Sequence, residues 1–299
     1  MDLRIILNGK KAALEPVREA IYRARENGKV DVRVTWEAGD VSRLLQEACA
    51  EGCRRLVVGG GDGTVNEIGS AMMQIPADER PELAVLPLGT ANDFATACCI
   101  PTEPFAALRL AQTGQSYAID AVQANDKHFI NVASGGFGAQ VTVNTPVALK
   151  NFLGGGAYTL SGLVQALNFV PYRGEIRMPH LSTENHVIVG AVCNGRQAGG
   201  GQQLAPNALI DDGLLDIVGL NTFPVESLDQ VINELKNFEE DGEFVKRYRV
   251  PWAEWESDME MPINLDGEPI KVKKIRFEVL PGALKLVLPE NCPVITPGL

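Results

Sequence analysis

Gly59, Gly60, Gly61 and Gly63 crowd around Asp62 in RLVVGGGDGTVNEIGSAM, and that spacing suits a phosphate. Leu56, Val57 and Val58 predict a strand before the glycines. Thr64 predicts the start of a helix after them, with Glu67 placed as in a capping box. A glycine loop between a strand and a helix N-terminus lets backbone N–H groups converge on an anion, and the helix dipole favours the negative charge. The loop is neither G-x-x-x-x-G-K-S/T nor G-x-G-x-x-G. A bare carboxylate repels a triphosphate, so Asp62 becomes useful when a divalent cation lies between the two. The competing reading is a tight turn capped by Asp62, with no ligand.

A second polar loop, Leu88-Gly89-Thr90, follows a strand predicted over 83–86, and Asn92-Asp93 opens another helix. By itself that is an ordinary helix cap. Two polar loops leaving neighbouring parallel strands at one edge point to a ligand crevice there. Further along, Asp212-Gly213 and Asp266-Gly267 are turn signals, and Glu268 follows the second of them. Ser134–Ala139 and Ala198–Gln203 are glycine-rich and either line a site or permit bends. His128, His180 and His186 lie apart, and Ser161 has no Ser-His-Asp signature near it, which argues against a hydrolase. Cys49 and Cys53 are spaced for metal on a helix but have no partner pair, so the six cysteines read as small thiols of a reducing compartment.

A net charge of −11 opposes general nucleic-acid binding and broad attraction to anionic membranes. Any anionic substrate must be held by local groups. Lys271, Lys273, Lys274 and Arg276 form one candidate patch, or else a solvated strand face. The opening apolar run is too short for a signal peptide, and Phe152–Val170 is interrupted by glycines and polar residues, so no transmembrane segment is expected. The expected location is the cytoplasm. The sequence sets no oligomeric state.

The elements that must position these residues come in two styles. Strands at Arg4–Leu7, Val30–Trp36, Arg55–Val58 and Leu83–Leu86 alternate with helices at Glu15–Glu26, Val41–Ala50, Val65–Met73, Asn92–Cys98 and Phe105–Gln112. That order predicts a doubly wound α/β domain with a mostly parallel sheet over residues 1–120. Residues 121–299 read as an antiparallel β-sandwich. It begins with a hairpin of Tyr117–Gln123 and His128–Ala133 around Asn125-Asp126. Strands follow at 174–178, 186–193, 214–220, 244–250, 261–265 and 275–288, with helices at Tyr158–Phe169 and near 224–238. The last strand is a candidate to return to the first domain.

GGGDGTVNE followed by PLGTANDFA resembles the catalytic domain of diacylglycerol and sphingosine kinases. The resemblance continues through CNGRQAGGGQQLAPNALIDDGLLDI and NLDGEP, and is similar in particular to bacterial YegS-type lipid kinases. GGDGT alone is shared with NAD kinases, whereas PLGTANDFA with LDGE belongs to the lipid-kinase branch. The resemblance implies a NAD kinase/diacylglycerol kinase-like fold and an ATP-dependent kinase acting on the hydroxyl of a diacylglycerol-like lipid or phospholipid at a membrane surface. The rivals are a NAD kinase-like phosphotransferase and a non-enzymatic nucleotide- or lipid-binding regulator. Carried over by resemblance, Thr35, Gly61, Asp62, Gly63, Thr64, Val65, Asn66, Glu67 and Thr90 contact the nucleotide. Asp62 organises Mg2+ and Glu268 activates the acceptor hydroxyl. A divalent ion, Mg2+ or Ca2+, is held by the Asp212 side chain and the carbonyls of Leu209 and Leu214. Asn8 lies in LNGK, where many relatives carry an NPxSG-like loop whose proline and serine are missing here.

Overall fold

The computed structural model describes residues 3–136, 170–238 and 241–297, so the helix expected at Tyr158–Phe169 lies outside the described residues. The chain divides into two compact units. The first is Met1–Ala121 with Ile210–Asp212 and Pro281–Leu299; the second is Val122–Leu209 with Gly213–Leu280.

In the first unit, β1 (Leu3–Asn8), α1 (Glu15–Ala24), β2 (Val30–Thr35), α2 (Asp40–Ala50), β3 (Arg55–Gly60), α3 (Asp62–Met72), β4 (Glu82–Pro87), α4 (Asp93–Ala97) and α5 (Pro104–Thr113) follow one another. The strands pair in parallel in the order β2-β1-β3-β4. Strands buried on both faces read as continuous apolar runs, as LRIILN does. Leu3, Ile5 and Leu7 join a core with Val17, Ala20, Ile21 and Ala24 of α1 and Ala107, Leu108 and Ala111 of α5. The helical residues recur at the spacing of one helix face. The pleat sends Arg4 and Ile6 to the other face, where α2 and α3 pack together. The chain's end completes this sheet: Leu286 pairs in parallel with Leu83, and Val287 enters the same core.

β5 (Gln115–Ala124) leads into the second unit. There β6 (Lys127–Phe129), β7 (Val132–Gly136), β8 (Tyr172–Met178), β9 (Leu181–Cys193), β10 (Gln197–Ala198), β11 (Gln202–Gln203), β12 (Leu215–Asn221), α6 (Leu228–Lys236), β13 (Val245–Val250), β14 (Trp252–Leu265) and β15 (Glu268–Leu288) are in sequence order. The pairing is antiparallel, in the order β13-β12-β9-β7-β14-β15, with β8 also bridging β9 and β14. Phe129, Trp255, Ile263, Ile275 and Phe277 lie in its main core, and α6 covers a second cluster through Val231.

The elements differ from expectation in three places. The strand expected over 128–133 breaks, because the N–H groups of Ile130, Asn131 and Val132 all donate to the Asp266 carboxylate at 2.7–2.9 Å. β14 and β15 run much longer than expected, with a register shift between Glu256 and Met261 hiding their continuity. Asp212-Gly213 is a bend entering β12, with Gly213 at φ 72°, and does not form a hairpin. By contrast, Asp266-Gly267 is a two-residue hairpin turn with both φ positive, 47° and 102°, as a primed turn requires. Gly199, Gly200 and Gly201 all have positive φ and close the small β10–β11 hairpin, so that glycine run makes a bend.

Candidate active site

Parallel register brings the first unit's polar residues to one sheet edge. Asn8 lies opposite Thr35, Leu7 opposite Gly59, and Gly60 opposite Pro87. Thr35 and the loops carrying Gly61 and Thr90 therefore all lie at the carboxyl ends of strands of one sheet, with β1 and Asn8 between the first and the second. Asn8 makes a local turn, its Oδ1 accepting the Lys10 N–H at 3.1 Å. Thr35 reaches back to the Leu7 carbonyl at 3.4 Å. The chain after it is pinned by Asp40, whose carboxylate accepts the Trp36 and Glu37 N–H groups and the Arg43 guanidinium. The Trp36 N–H foremost, then Arg43, hold the Asp40 carboxyl down at about 2.

The glycine loop differs from its expected form in one respect. β3 continues through Gly60, and α3 begins at Asp62 rather than Thr64. Gly61 is the N-cap, and no side chain caps this helix, so the Thr64/Glu67 capping box does not form. Thr64 and Val65 instead turn their N–H groups onto the Gly61 carbonyl. Close approach explains the glycines. A Cβ on Gly60 would lie 2.5 Å from Thr64, and one on Gly89 would lie 2.5 Å from Gly61 Cα. The two loops thus pack glycine against glycine. The second is held by reciprocal bonds between Gly89 and the Asn92 amide at 2.8 and 3.1 Å, with Asn92 left-handed at φ 52°. Asp62 Oδ1 accepts the Phe94 N–H at 3.0 Å, tying α3 to α4. Asp62 therefore caps the neighbouring helix with one oxygen.

Of the other nucleotide candidates, Val65 is core and Thr64 half-buried, while Gly63 and Thr90 are exposed. Asn66 is buried, and its Oδ1 has no hydrogen-bond partner. Glu67 keeps an exposed edge, yet the protein around it raises its carboxyl above the usual range by desolvation. An uncapped helix start and a cradle with no room for side chains at Gly60 and Gly89 fit a polyphosphate, while the unmatched Asn66 Oδ1 fits a donor group beside it.

In the second unit Glu268 opens β15 opposite Leu265. Its side chain is 48% exposed, and Oε1 is engaged by the Lys127 ammonium. The spacing of charged residues gave no sign of Lys127, because the two lie on separate hairpins. Asp266, the residue of the turn itself, is structural. With Asn at this position the left-handed backbone is tolerated while the carboxylate is lost. Asp266→Asn is therefore expected to cost about 1–3 kcal/mol of stability, read as a lower urea midpoint with an unchanged m-value. An unchanged midpoint would show that the three N–H groups find other partners.

Asp212 is half-buried within the irregular stretch between Leu209 and Leu214. Its neighbour Asp211 is committed to Thr296 through both its N–H and hydroxyl. Among the described residues no three His, Cys, Asp or Glu side chains gather as a metal cluster. An ion beside Asp212 would thus rest mainly on carbonyl and water oxygens, a donor set that suits Mg2+ or Ca2+. Of the basic patch, Lys274 pairs with Glu254 and Glu256, and Arg276 pairs with Glu278 and lies 4.2 Å over the Trp252 ring. Lys271 and Lys273 remain exposed.

The second unit also holds a cavity that the sequence did not announce. Its volume is about 90 Å³, and its lining is almost wholly apolar, with Ile176, Val187, Ile217, Trp255, Ile263 and Phe277 among the walls. The Trp255 Nε1–H is buried without an acceptor. Gly219 also lines this cavity, and a Cβ added there meets nothing within 4 Å.

Residues 2–124 match the family model of the diacylglycerol kinase catalytic domain, and residues 131–288 match the YegS C-terminal NAD kinase beta sandwich-like domain. A Shewanella frigidimarina protein named "Probable lipid kinase YegS-like" is 50% identical, over 98% of this chain and 96% of that one. A Chromohalobacter salexigens protein of the same name is 49% identical, over 99% and 96%. Among solved structures, a diacylglycerol kinase from Bacillus anthracis is 22% identical and superposes with a TM-score of 0.77, over 97% of this chain and 98% of that chain.

Proposed function

The chain belongs to the diacylglycerol kinase family, in its YegS lipid-kinase branch, and on that premise we propose that it moves the γ-phosphate of ATP onto a hydroxyl of a diacylglycerol-like lipid or phospholipid. It is a lipid kinase; the nucleotide, the ion and the acceptor are what is proposed. The observation that carries the reading is the pair of glycine loops packed Gly61 against Gly89 before the uncapped start of α3.

Bound Mg-ATP supplies the transferable phosphoryl group and a cation that neutralises its oxygens. The chain's own residues do the rest. The N–H groups of Asp62 and Gly63 at the start of α3 donate to the polyphosphate, and Asn66 offers its unmatched oxygen to a donor of the nucleotide. Thr35, Thr64, Glu67 and Thr90 border the same edge. Asp62 has Oδ1 on the Phe94 N–H, which leaves Oδ2 for the cation. Glu268 takes the proton of the acceptor hydroxyl on Oε2, while Lys127 holds Oε1. The hydroxyl oxygen then bonds to the γ-phosphorus as the bridging oxygen leaves with ADP. Asp212 with the Leu209 and Leu214 carbonyls holds the second ion. By this assignment the first unit binds nucleotide, and the second, Val122–Leu209 with Gly213–Leu280, presents the lipid.

The apolar cavity suits an acyl chain, and the Trp255 Nε1–H suits an ester carbonyl at its wall. Gly219 shares a strand face with Ile217, so a side chain there projects into the cavity without meeting backbone. Gly219→Leu is expected to raise the KM for lipid about tenfold with the KM for ATP unchanged. Lipid kinetics equal to wild type would empty the cavity of this role.

No helix among the described residues is long and apolar enough to cross a membrane. We place the enzyme in the cytoplasm, meeting lipid at the membrane surface, where the exposed Lys271 and Lys273 are available to head groups. The deciding experiment is incubation with γ-labelled ATP and a fractionated lipid extract, with NAD as a parallel acceptor. Label in a lipid phosphate and none in NAD is the expected result. Label in NAD would favour the NAD kinase-like reading. Nucleotide binding with no labelled product would favour a regulator.

A further inference from the structure

Arg4 lies on a central strand of the parallel sheet, where an apolar residue would ordinarily be found. It is only 6% exposed. Its Nε and Nη2 donate to Asp31 at 3.0 and 2.7 Å, and Nη2 also donates to Glu51 at 2.6 Å. Nη1 is buried with no hydrogen-bond partner. A buried charged donor left unmatched is costly, so an acceptor that reached it would recover that cost.

Arg4 opens onto a crevice at the amino ends of the strands, the edge opposite the glycine loops. Its walls include Lys29, Asp31, Glu51, Cys53 and Arg54. Both carboxylates are already committed to Arg4, and Asp31 also to Arg33. Lys29 and Arg54 are exposed, and neither forms an ion pair in the described structure. Three cations against two engaged carboxylates leave a local positive excess on a molecule of net charge −11. The ligand that fits is acceptor-only, anionic and able to take N–H groups from several directions.

We propose that this crevice is a binding site for a phosphate monoester, held by Arg4 Nη1 from within and by Lys29 and Arg54 at its mouth. The phosphate belongs either to a free phosphate compound or to a lipid head group. The inference is independent of the kinase reading, since none of these residues is assigned to phosphoryl transfer.

Calorimetric titration of inorganic phosphate into the full chain tests the first source. A non-hydrolysable Mg-ATP analogue is present to cover the glycine loops. Sedimentation with phosphatidylcholine vesicles, with and without added phosphatidate, tests the second. Each is repeated on the Lys29→Ala/Arg54→Ala double variant. Both residues are exposed, and matching melts without phosphate verify that the fold is kept. The expected result is saturable phosphate binding weakened at least about tenfold in the double variant, or phosphatidate-dependent sedimentation lost in it. The first outcome assigns a free ligand and the second a head group. Affinities unchanged by the double variant in both arms overturn the proposal and leave Arg4 Nη1 to water.

Discussion

Asp62→Ala is expected to abolish phosphoryl transfer, by about 10³-fold or more in kcat, while the protein stays folded. The carboxylate lies at the first residue of α3, beside the loop where polyphosphate is proposed to bind. Its second role complicates a simple reading. Asp62 Oδ1 also accepts the Phe94 N–H, so alanine removes a helix cap as well as a charge. That loss is expected to lower stability by about 1 kcal/mol. Asp62→Asn separates the two effects, because an amide oxygen still accepts from Phe94 but gives a cation no carboxylate. The asparagine variant should melt like wild type and still be inactive. Near-normal turnover in a folded asparagine variant would leave Asp62 as a cap alone.

Glu268→Gln should lower kcat by about 10²–10⁴-fold with nucleotide affinity nearly unchanged, as for loss of a positioned general base. The glutamine preserves size and an oxygen for Lys127 but takes no proton. Phosphoryl transfer is often loose, which limits how much a base contributes. Lys127→Met is the useful companion. It frees the carboxylate from its ion pair and leaves the proton acceptor in place, so it should change kcat far less than Glu268→Gln does. Exposed pairs of this kind stabilise little, and the fold should tolerate both changes. Turnover of Glu268→Gln within a few-fold of wild type would return Glu268 to the hairpin.

The first unit was legible because its strands are short apolar runs bounded by turns, and its helices carry one apolar face. The period of Val17, Ala20, Ile21 and Ala24 needs no tertiary knowledge. The glycine loop was readable as a loop but misplaced by two residues. Glycine lowers helix propensity, so Asp62 and Gly63 do not look helical until the N-cap at Gly61 is seen. The break after Phe129 was hidden for a different reason. Its cause is a carboxylate more than a hundred residues away, at Asp266. The Lys127–Glu268 contact was hidden in the same way, and so was the cavity, which is a space between strands rather than a residue pattern. Local periodicity carries elements well and long-range register poorly.

The return of the chain's end to the first unit has a consequence for synthesis. Emerging from a ribosome, residues 1–121 hold most of the parallel sheet but lack its last strand. Arg80 waits for the Ala283 carbonyl, Leu83 for Leu286, the Asp120 side chain for Gly282 and Asp211 for Thr296. β4 therefore stays an open edge until Leu286 has been made, and an open edge invites pairing with other chains. The half that is translated first becomes complete last.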